Sequence, residues 1–233
     1  MRFRAVLFDA GETLVHPSPS FAELFTQVLA AHGHDRAPTD VAAASAVVFH
    51  RFSEAARDGE LWTTSPERSA RFWTGVYGGM LEALALPSRD GLRDELYRTF
   101  TQRTNYALFE DVIPALDALA PSGAILGIVS NFESWLEDLL GELGVRDRFP
   151  VRAISGIEGV EKPDATIFLR ALERAGVPAA QAAYVGDNPE FDVVPAAALG
   201  MTPVLIDRRG RFPTHDGLRI ADLRELAAAL EAA

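Results

Sequence analysis

Residues 5–14 have the sequence AVLFDAGETL, a short apolar run that ends in an aspartate. Four more short apolar runs follow, at residues 124–129, 153–154, 182–185 and 203–206. Runs this short that end in small or polar residues are typical of buried strands. Between the later runs, apolar residues three or four apart predict helices over 133–143, 164–175 and 190–199, each followed by a glycine. Strands that alternate with helices predict an α/β fold with a doubly wound parallel sheet.

One interval in this pattern is too long for a single crossover. Asp9, which closes the first apolar run, and Ser130, which closes the second, are 121 residues apart, whereas a β-α-β unit needs only about 30 residues. Amphipathic patterns predict helices over 19–31, 39–57 and 65–86, and a fourth that begins at Ser88. We therefore expect an all-helical domain over residues 16–105, inserted into a core domain formed by residues 1–15 and 106–233.

The composition excludes several classes of protein. The 233 residues include 33 acidic and 22 basic side chains, and the net charge of −11 disfavours nucleic acid or a membrane surface as a partner. The absence of cysteine excludes a disulfide scaffold, a cysteine-bound metal and thiol catalysis. No stretch approaches the roughly 18 apolar residues of a membrane span, and Asp9 and Glu12 interrupt the apolar start before it resembles a signal peptide. We expect a cytoplasmic protein.

Polar side chains stand at the ends of the predicted strands. They are Asp9, Ser130, Asn131, Lys162, Asp187 and Asp192. In open α/β sheets ligands bind beyond the carboxyl ends of the strands, so these side chains should lie along one edge of the sheet. Three neighbouring carboxylates repel one another unless a cation joins them, and Mg²⁺ favours carboxylates, water and a substrate phosphate. The cluster predicts a hard metal ion and a phosphorylated ligand.

Lys162 is the only lysine of the chain, and every other basic residue is an arginine. A single lysine beside a proline is usually a solvated side chain. Here, however, arginine serves wherever a positive charge is needed, and the one exception falls in the strand-end cluster. This usage favours a role that requires a compact ammonium charge in place of a planar guanidinium group.

Four segments, in this order, resemble the four motifs of the haloacid dehalogenase superfamily: LFDAGETL (7–14), VSNF (129–132), VEKPD (160–164) and VGDNPEFD (185–192). The resemblance covers the whole predicted core. The inserted helices resemble the helical cap, of the C1 type, that lies between the first two motifs of this superfamily. The resemblance implies a Rossmann-like core domain and a hydrolase of the phosphatase-like branch.

The resemblance also implies roles for individual residues. Asp9 is the expected nucleophile, which attacks phosphorus and forms an aspartyl phosphate that water then hydrolyses. Mg²⁺ is the implied cofactor, held by Asp9, Asp187 and the backbone carbonyl of Gly11. The implied substrate-binding residues are Ser130, Asn131 and Lys162, of which Ser130 and Lys162 are also catalytic, and the implied supporting residues are Asp192 and Thr13.

The first motif departs from the usual pattern at Gly11. Phosphatases of the superfamily usually have Asp-x-Asp-x-Thr here, and the second aspartate protonates the leaving alcohol and later activates water. Positioned acid–base groups contribute about 10²- to 10⁴-fold to rate, so we expect slow turnover of unactivated esters. Glu12 and His16 are the two candidates to replace the missing acid, although the side chain of Glu12, one residue along an extended segment, should point the other way.

Three functions remain open. The first is a Mg²⁺-dependent phosphatase that acts on a small phosphorylated metabolite. The second is a hydrolase of the 2-haloacid dehalogenase type; those enzymes also lack the second aspartate, but they need no metal and lack an acid at the position of Asp187. The third is a catalytically weak family member with a binding role, for which Gly11 is the best indication. A phosphonate hydrolase is disfavoured because it requires a cap lysine, and the predicted insertion contains none.

Overall fold

The computed structural model describes residues 2–88 and 90–233. The chain divides into two compact units. The core unit combines Met1–Val15 with Leu108–Ala233, and the insertion unit is His16–Ala107. Among the helices in the described ranges, none is long and apolar enough to span a membrane.

The strands of the described residues form one parallel sheet and one separate pair. They are β1 (Ala5–Phe8), β2 (Val15–Pro17), β3 (Tyr106–Leu108), β4 (Ile125–Ser130), β5 (Val151–Ile154), β6 (Ala182–Gly186), β7 (Thr202–Ile206) and β8 (Arg219–Ile220). The sheet has the order β5-β4-β1-β6-β7-β8, and every pairing in it is parallel. β2 pairs with β3. The predicted α/β fold with a parallel sheet is therefore confirmed.

Helices connect the strands of the core and make up most of the insertion unit. Those of the insertion unit are α1 (Phe21–Ala31), α2 (Pro38–Ala44), α3 (Ala46–Asp58), α4 (Pro66–Ala83) and α5 (Asp90–Phe100). Those of the core unit are α6 (Val112–Leu119), α7 (Leu136–Glu142), α8 (Ser155–Glu158), α9 (Ala165–Ala175), α10 (Val194–Ala198) and α11 (Leu226–Ala232). Short 3₁₀ turns lie at Arg103–Asn105, Ala120–Ser122, Arg146–Arg148, Ala179–Gln181 and Leu223–Glu225.

The central strand β1 is buried along its whole length and has a neighbouring strand on each side. Phe8 lies opposite Ile128 of β4 and Val185 of β6. The N–H of Asp9 donates to the carbonyl of Val185 at 2.8 Å, which extends the ladder by one residue. The register therefore brings the last residues of β1, β4 and β6 to the same edge of the sheet, where their side chains can meet.

The insertion unit has an aromatic core. Phe25 and Phe100 lie within ring-contact distance of Tyr77, and Trp62 stacks on Phe72 with 5.0 Å between ring centroids. Ser20 and Glu23 form a capping box at the start of α1, which fixes where that helix begins. Apolar residues at helical spacing in this segment thus serve to pack the helices together.

One predicted helix of the insertion is wrong. The pattern over 39–57 predicted a single helix, but the structure has α2 and α3 with Ser45 between them. The Ser45 hydroxyl donates to the carbonyl of Ala42 at 2.6 Å, and the Ser45 N–H is shared between the carbonyls of Val41 and Ala42. A serine that bonds to the preceding turn competes with regular helical bonding, and this tightens the chain locally.

A second difference lies after β6. The pattern over 190–199 predicted one α-helix, whereas the structure has a π-helical turn, Pro189–Val193, followed by the short α10. Asn188 caps the turn, since its side-chain oxygen accepts the N–H groups of Glu190 and Phe191. A wider turn holds one more residue than an α-helical one, so it changes the direction of the side chains within it. Asp192 is one of them.

Candidate active site

The carboxylate of Asp9 lies at the centre of a buried polar cluster. Asp9 directly follows β1, and Ser130 is the last residue of β4. The Ser130 hydroxyl donates to Asp9 Oδ1 at 3.0 Å, and Lys162 Nζ donates to the same oxygen at 2.7 Å. Asp9 Oδ2 has a longer contact, 3.4 Å, from the hydroxyl of Thr13. One carboxylate oxygen is thus firmly held, and the other is less tightly bound.

Lys162 is buried, with an exposed fraction of 2%, and its ammonium group donates three hydrogen bonds. The acceptors are Asp9 Oδ1 at 2.7 Å, Asp192 Oδ1 at 2.6 Å and the Tyr184 hydroxyl at 3.0 Å. An ammonium group has three donors and no acceptor, so these contacts use its full capacity. This arrangement gives a physical reason why the single lysine stands here.

The sequence prediction missed Tyr184. This tyrosine lies within β6, is fully buried, and donates its hydroxyl to the carbonyl of Val129 at 2.8 Å. The same hydroxyl lies 3.1 Å from Asp192 Oδ1 and accepts a bond from Lys162. The available signal was a single polar group inside the apolar run 182–185, because a buried tyrosine hydroxyl requires a partner.

The side chain of Asn131 forms hydrogen bonds with both backbone polar groups of Lys162. Its side-chain nitrogen donates to the Lys162 carbonyl at 2.8 Å, and its side-chain oxygen accepts the Lys162 N–H at 2.6 Å. These contacts place the loop after β4 against the loop that carries the lysine. Asn131 was predicted to bind the substrate, and in the structure its side chain positions Lys162.

Asp192 is engaged by the protein through both of its oxygens. Oδ1 accepts from Lys162, and Oδ2 accepts the N–H of Asn188 at 2.9 Å. The carboxylate also packs directly on Gly186, where an added Cβ would stand 2.3 Å from Asp192 Cγ. A glycine is therefore required at the end of β6 so that the carboxylate can approach. These contacts support a role for Asp192 in orienting Lys162.

Asp187 follows β6 and pairs with Arg211, which lies outside the four motifs. Arg211 Nη2 donates to Asp187 Oδ2 at 2.9 Å. Arg211 lies in the loop after β7, where the N–H groups of Arg211 and Phe212 donate to the buried carboxylate of Asp207 at 2.8 and 2.9 Å. No sequence motif marks this contact, since it joins two loops that are 24 residues apart.

The electrostatics of the cluster reflect burial and close carboxylates. Burial, together with the charges of Asp192 and Asp9, raises the pKa of Asp187 to about 8, although Arg211 acts in the lowering direction. Burial also raises the pKa of Asp9, while Lys162 opposes this shift. Burial lowers the pKa of Lys162, but the charges of Asp192 and Asp9 outweigh it and raise that pKa above its usual value. The site favours additional positive charge.

The surroundings of three residues are relevant to the general acid that the first motif lacks, namely Gly11, Glu12 and His16. Around Gly11 there is space, since an added Cβ would meet only the ring of Phe132 within 4 Å, at 3.8 Å. The Glu12 carboxylate pairs with Arg209 at 2.7 Å, and Glu12 has a left-handed backbone conformation with φ of 56°. His16 Nδ1 lies 2.8 Å from the carbonyl of Pro17.

The cluster has the donor set of a hard metal site. One carboxylate oxygen from each of Asp9, Asp187 and Asp192 lies within 4.8 Å of the other two. Crowded carboxylates with raised pKa values are stabilised by a cation, and oxygen ligands suit Mg²⁺. Because the oxygens of Asp192 are engaged by Lys162 and Asn188, Asp9 and Asp187 are the residues that fit a metal, with the carbonyl of Gly11 in the same loop as Asp9.

Comparison with known proteins identifies the family. A family model described as "haloacid dehalogenase-like hydrolase" matches residues 3–200. The chain belongs to the haloacid dehalogenase-like hydrolases. The resemblance seen in the four motifs is therefore confirmed, and so is the expectation of a hydrolase.

The relatives of this haloacid dehalogenase-like hydrolase include a protein named as a phosphatase, and a solved dehalogenase structure is similar to it. Haloacid dehalogenase-like hydrolase domain-containing protein 3 of Danio rerio is 30% identical over 220 residues, 91% of this chain and 88% of that protein. A phosphoglycolate phosphatase of Xanthomonas campestris pv. campestris is 31% identical over 208 residues, 88% of this chain and 83% of that protein. The crystal structure of the L-2-haloacid dehalogenase RSc1362 superposes with a TM-score of 0.75 at 25% identity, and covers 98% of this chain and 99% of that one.

Proposed function

We propose that this hydrolase is a Mg²⁺-dependent phosphatase that acts on a small phosphorylated metabolite through an aspartyl phosphate. The observation that carries the proposal is the cluster formed by the buried residues Asp9 and Lys162 and the half-buried Asp187. Asp187 adds a carboxylate within 4.8 Å of the nucleophile, and enzymes of the 2-haloacid dehalogenase type lack an acid at this position. The phosphoglycolate phosphatase of Xanthomonas campestris supports the same class of substrate.

Asp9 would act as the nucleophile. One of its oxygens forms a bond to phosphorus as the bond between phosphorus and the leaving oxygen breaks, and the leaving group departs with the electron pair. Water then attacks the aspartyl phosphate at phosphorus, which releases inorganic phosphate and restores the carboxylate. Lys162 and Ser130 already donate to Asp9 Oδ1, so they hold the carboxylate in one orientation before substrate arrives.

Mg²⁺ would be held by Asp9, Asp187 and the backbone carbonyl of Gly11. When bound, it would supply charge neutralisation for the phosphate and orient it toward the nucleophile. Lys162 keeps its positive charge because Asp192 and Asp9 raise its pKa. Asp192, Tyr184 and Asn131 keep the lysine in place and need not touch the substrate.

The leaving group defines which phosphate esters are good substrates. With glycine at position 11, no carboxylic acid stands two residues after the nucleophile to protonate a departing alkoxide. The Glu12 carboxylate is paired with Arg209, and this contact argues against Glu12 as the replacement. Aryl and acyl phosphates, whose leaving groups need no proton, are therefore the preferred substrates, and alkyl phosphates should be slower by about 10²- to 10⁴-fold.

The test is a screen of aryl, acyl and alkyl phosphates with and without Mg²⁺, in which released phosphate is measured. We expect metal-dependent hydrolysis that Asp9→Asn removes and Asp187→Asn abolishes. Mass spectrometry of protein quenched during turnover should detect the phosphorylated Asp9. Substrate turnover without metal, equal in the wild type and in Asp187→Asn, would overturn the proposal.

The superposition on the L-2-haloacid dehalogenase RSc1362 supports the dehalogenase alternative. Its distinguishing assay is halide release from 2-haloacids in the presence of a chelator. Halide release without phosphate release would establish this second function. Neither activity, in a protein that binds Mg²⁺, would instead favour the binding role.

A further inference from the structure

Arg211 lies at the proposed metal site although it belongs to none of the four motifs. Its guanidinium Nη2 donates to Asp187 Oδ2 at 2.9 Å. The Arg211 side chain is 27% exposed and that of Asp187 is 18% exposed, so the pair stands at the boundary between the buried cluster and solvent. A cation that approached Asp187 from solvent would therefore come close to the positively charged guanidinium of Arg211.

The backbone of Arg211 is fixed by the loop that carries it. Asp207, which is 2% exposed, accepts the N–H groups of Arg211 and Phe212 and a further bond from Arg219 at 3.1 Å. These bonds hold the loop after β7 in one conformation. The Arg211–Asp187 contact is thus made from an anchored backbone position.

A guanidinium group and a divalent cation compete for the same carboxylate. Arginine keeps its charge throughout the pH range of enzymes, and two positive charges a few ångströms apart repel each other. Asp187 is one of the two carboxylates that fit the metal, and its Oδ2 already accepts from Arg211. Metal binding at Asp187 therefore places a second positive charge beside the Arg211 guanidinium, and the repulsion between the two charges weakens binding.

We propose that Arg211 is the resident counter-ion of Asp187 and that it sets the Mg²⁺ affinity of the site by competing with the metal. The inference rests on the proposed function, because it takes Asp187 as a metal ligand. In the metal-free protein, Arg211 already neutralises part of the negative charge of Asp187. Mg²⁺ then binds more weakly than it would to the same carboxylates without Arg211, and the metal can exchange more readily.

Arg209 provides a matched control within the same loop. It stands two residues before Arg211, carries the same charge, and pairs with Glu12 at 2.7 Å. Its side chain is 62% exposed. Arg209→Gln removes one positive charge from the loop but leaves the contact with Asp187 intact, so it separates the general effect of charge from the effect of that contact.

The experiment is calorimetric titration of Mg²⁺ into the metal-free protein, in the wild type and in Arg211→Gln, Arg211→Lys, Arg209→Gln and Asp187→Asn. We expect Arg211→Gln to bind Mg²⁺ about 5- to 10-fold more tightly than the wild type. Arg209→Gln should stay within about twofold of the wild type, and Arg211→Lys should lie between them. Asp187→Asn should lose binding.

Thermal unfolding gives a second readout that does not depend on activity. Without metal, Arg211→Gln should unfold at a lower temperature than the wild type, because Asp187 has lost a partner. At one fixed Mg²⁺ concentration it should gain more stability than the wild type does, because a tighter ligand stabilises more. A variant that fails to fold would be recognised here, and Arg211→Lys then carries the comparison.

Three results would overturn the inference. They are an unchanged or weaker affinity in Arg211→Gln, an equal tightening in Arg209→Gln, and no Mg²⁺ binding by any of the proteins. If Arg211→Gln does not bind Mg²⁺ more tightly, or if Arg209→Gln tightens binding equally, loss of binding in Asp187→Asn would still support the proposed metal site. Mg²⁺ binding that Asp187→Asn does not change, or no binding at all, would remove the proposed metal site as well.

Discussion

At the scale of single residues, the site depends on the shape of the charge that Lys162 provides. Three acceptors surround its nitrogen, at 2.6 to 3.0 Å. A tetrahedral ammonium can serve three acceptors that lie in different directions, whereas a planar guanidinium spreads its donors in one plane and is larger. A buried site of this size is therefore specific for lysine.

Lys162→Arg should lower kcat/KM by about 10²- to 10³-fold, as expected when an electrostatic donor at the reacting group is misplaced. Steady-state phosphate release measures this effect. The control is Arg148→Lys, which makes the opposite exchange in an exposed pair with Asp117 and should leave activity unchanged. Near-normal turnover in Lys162→Arg would show that charge alone, without the geometry of the ammonium group, is sufficient.

Gly11→Asp should raise the turnover of alkyl phosphates by up to about 10²- to 10⁴-fold, which lowers the barrier by about 2.7 to 5.5 kcal/mol. The reason is that an added carboxyl group can protonate the leaving alkoxide and later activate water, and the space beside Gly11 admits a Cβ. Aryl phosphates should gain much less. Relative rates for one aryl and one alkyl substrate measure the effect.

Asp9→Asn is the control for that experiment, because it should remove all activity with glycine or aspartate at position 11. Fast alkyl phosphate turnover by the unaltered protein would contradict the argument. It would mean that another group, such as His16, Glu12 or a hydroxyl of the substrate, supplies the proton.

Sequence alone could place the residues of this site that end strands, because the topology of a parallel sheet determines which edge they share. Asp9 and Ser130 are of this kind and lie within hydrogen-bond distance of each other, whereas Lys162, which also donates to Asp9, follows β5 only after the short helix α8. Tyr184 and Arg211 were missed for a physical reason. Their contacts are formed by side chains that meet only in the folded protein. Arg211 stands in no motif, and the only sign of Tyr184 in the sequence was its hydroxyl group within an apolar run.

At the scale of elements, β6 and the π-helical turn after it act together. The strand ends at Gly186, and the turn returns the chain so that Asp192 packs on that glycine. The periodicity of the sequence predicted a helix here but could not predict the wider turn, just as it could not predict the break at Ser45. Both irregularities come from local hydrogen bonds made by polar side chains, to which hydrophobic spacing is insensitive.

Gly186→Ala should destabilise the protein by about 1–3 kcal/mol and strongly reduce activity, because the new methyl group would displace the Asp192 carboxylate and, through it, Lys162. Urea unfolding and phosphate release measure the two effects. Gly75→Ala in α4 is the matched control, since nothing lies within 4 Å of its added Cβ. It should leave the protein as stable or up to about 1 kcal/mol more stable. Equal behaviour of the two variants would contradict the packing argument.

At the scale of the whole molecule, Asp111 connects distant parts of the core unit. Its carboxylate accepts from both terminal nitrogens of Arg208, at 2.6 and 3.0 Å, and from the N–H of Leu223 at 2.7 Å. Arg208 also donates to the carbonyl of Thr13 at 2.8 Å, four residues after the nucleophile. The loop after β7 is thus joined to the first motif and to the C-terminal segment.

Asp111→Asn should lower the free energy of unfolding at pH 7 by about 3 kcal/mol, because it leaves the buried part of Arg208 without its counter-charge. Burial alone would raise the pKa of Asp111, but hydrogen bonds from Arg208 and Leu223 outweigh it and hold that pKa below the ordinary value of 3.8. At pH values between the folded-state pKa and 3.8, the unfolded chain therefore binds more protons than the folded protein does. The stabilisation is complete above 3.8 and is lost as the pH falls through the folded-state pKa.

Urea unfolding of the wild type and Asp111→Asn over a series of pH values checks this prediction. The difference between the two proteins should be largest near neutral pH and should shrink in acid. A difference that stays constant down to about pH 2 would show that the contribution comes from packing and hydrogen bonding, with no part from ionisation.

The use of arginine in place of lysine has a practical consequence for this chain. An acylating reagent directed at side-chain amines has a single target, Lys162, since every other basic side chain is a guanidinium group. Lys162 is 2% exposed and its amine is held between two carboxylates, so it should react only when the surrounding residues move and admit solvent. The rate of acylation at Lys162, followed by mass spectrometry, therefore measures how often the buried ammonium group becomes exposed to solvent in the folded protein.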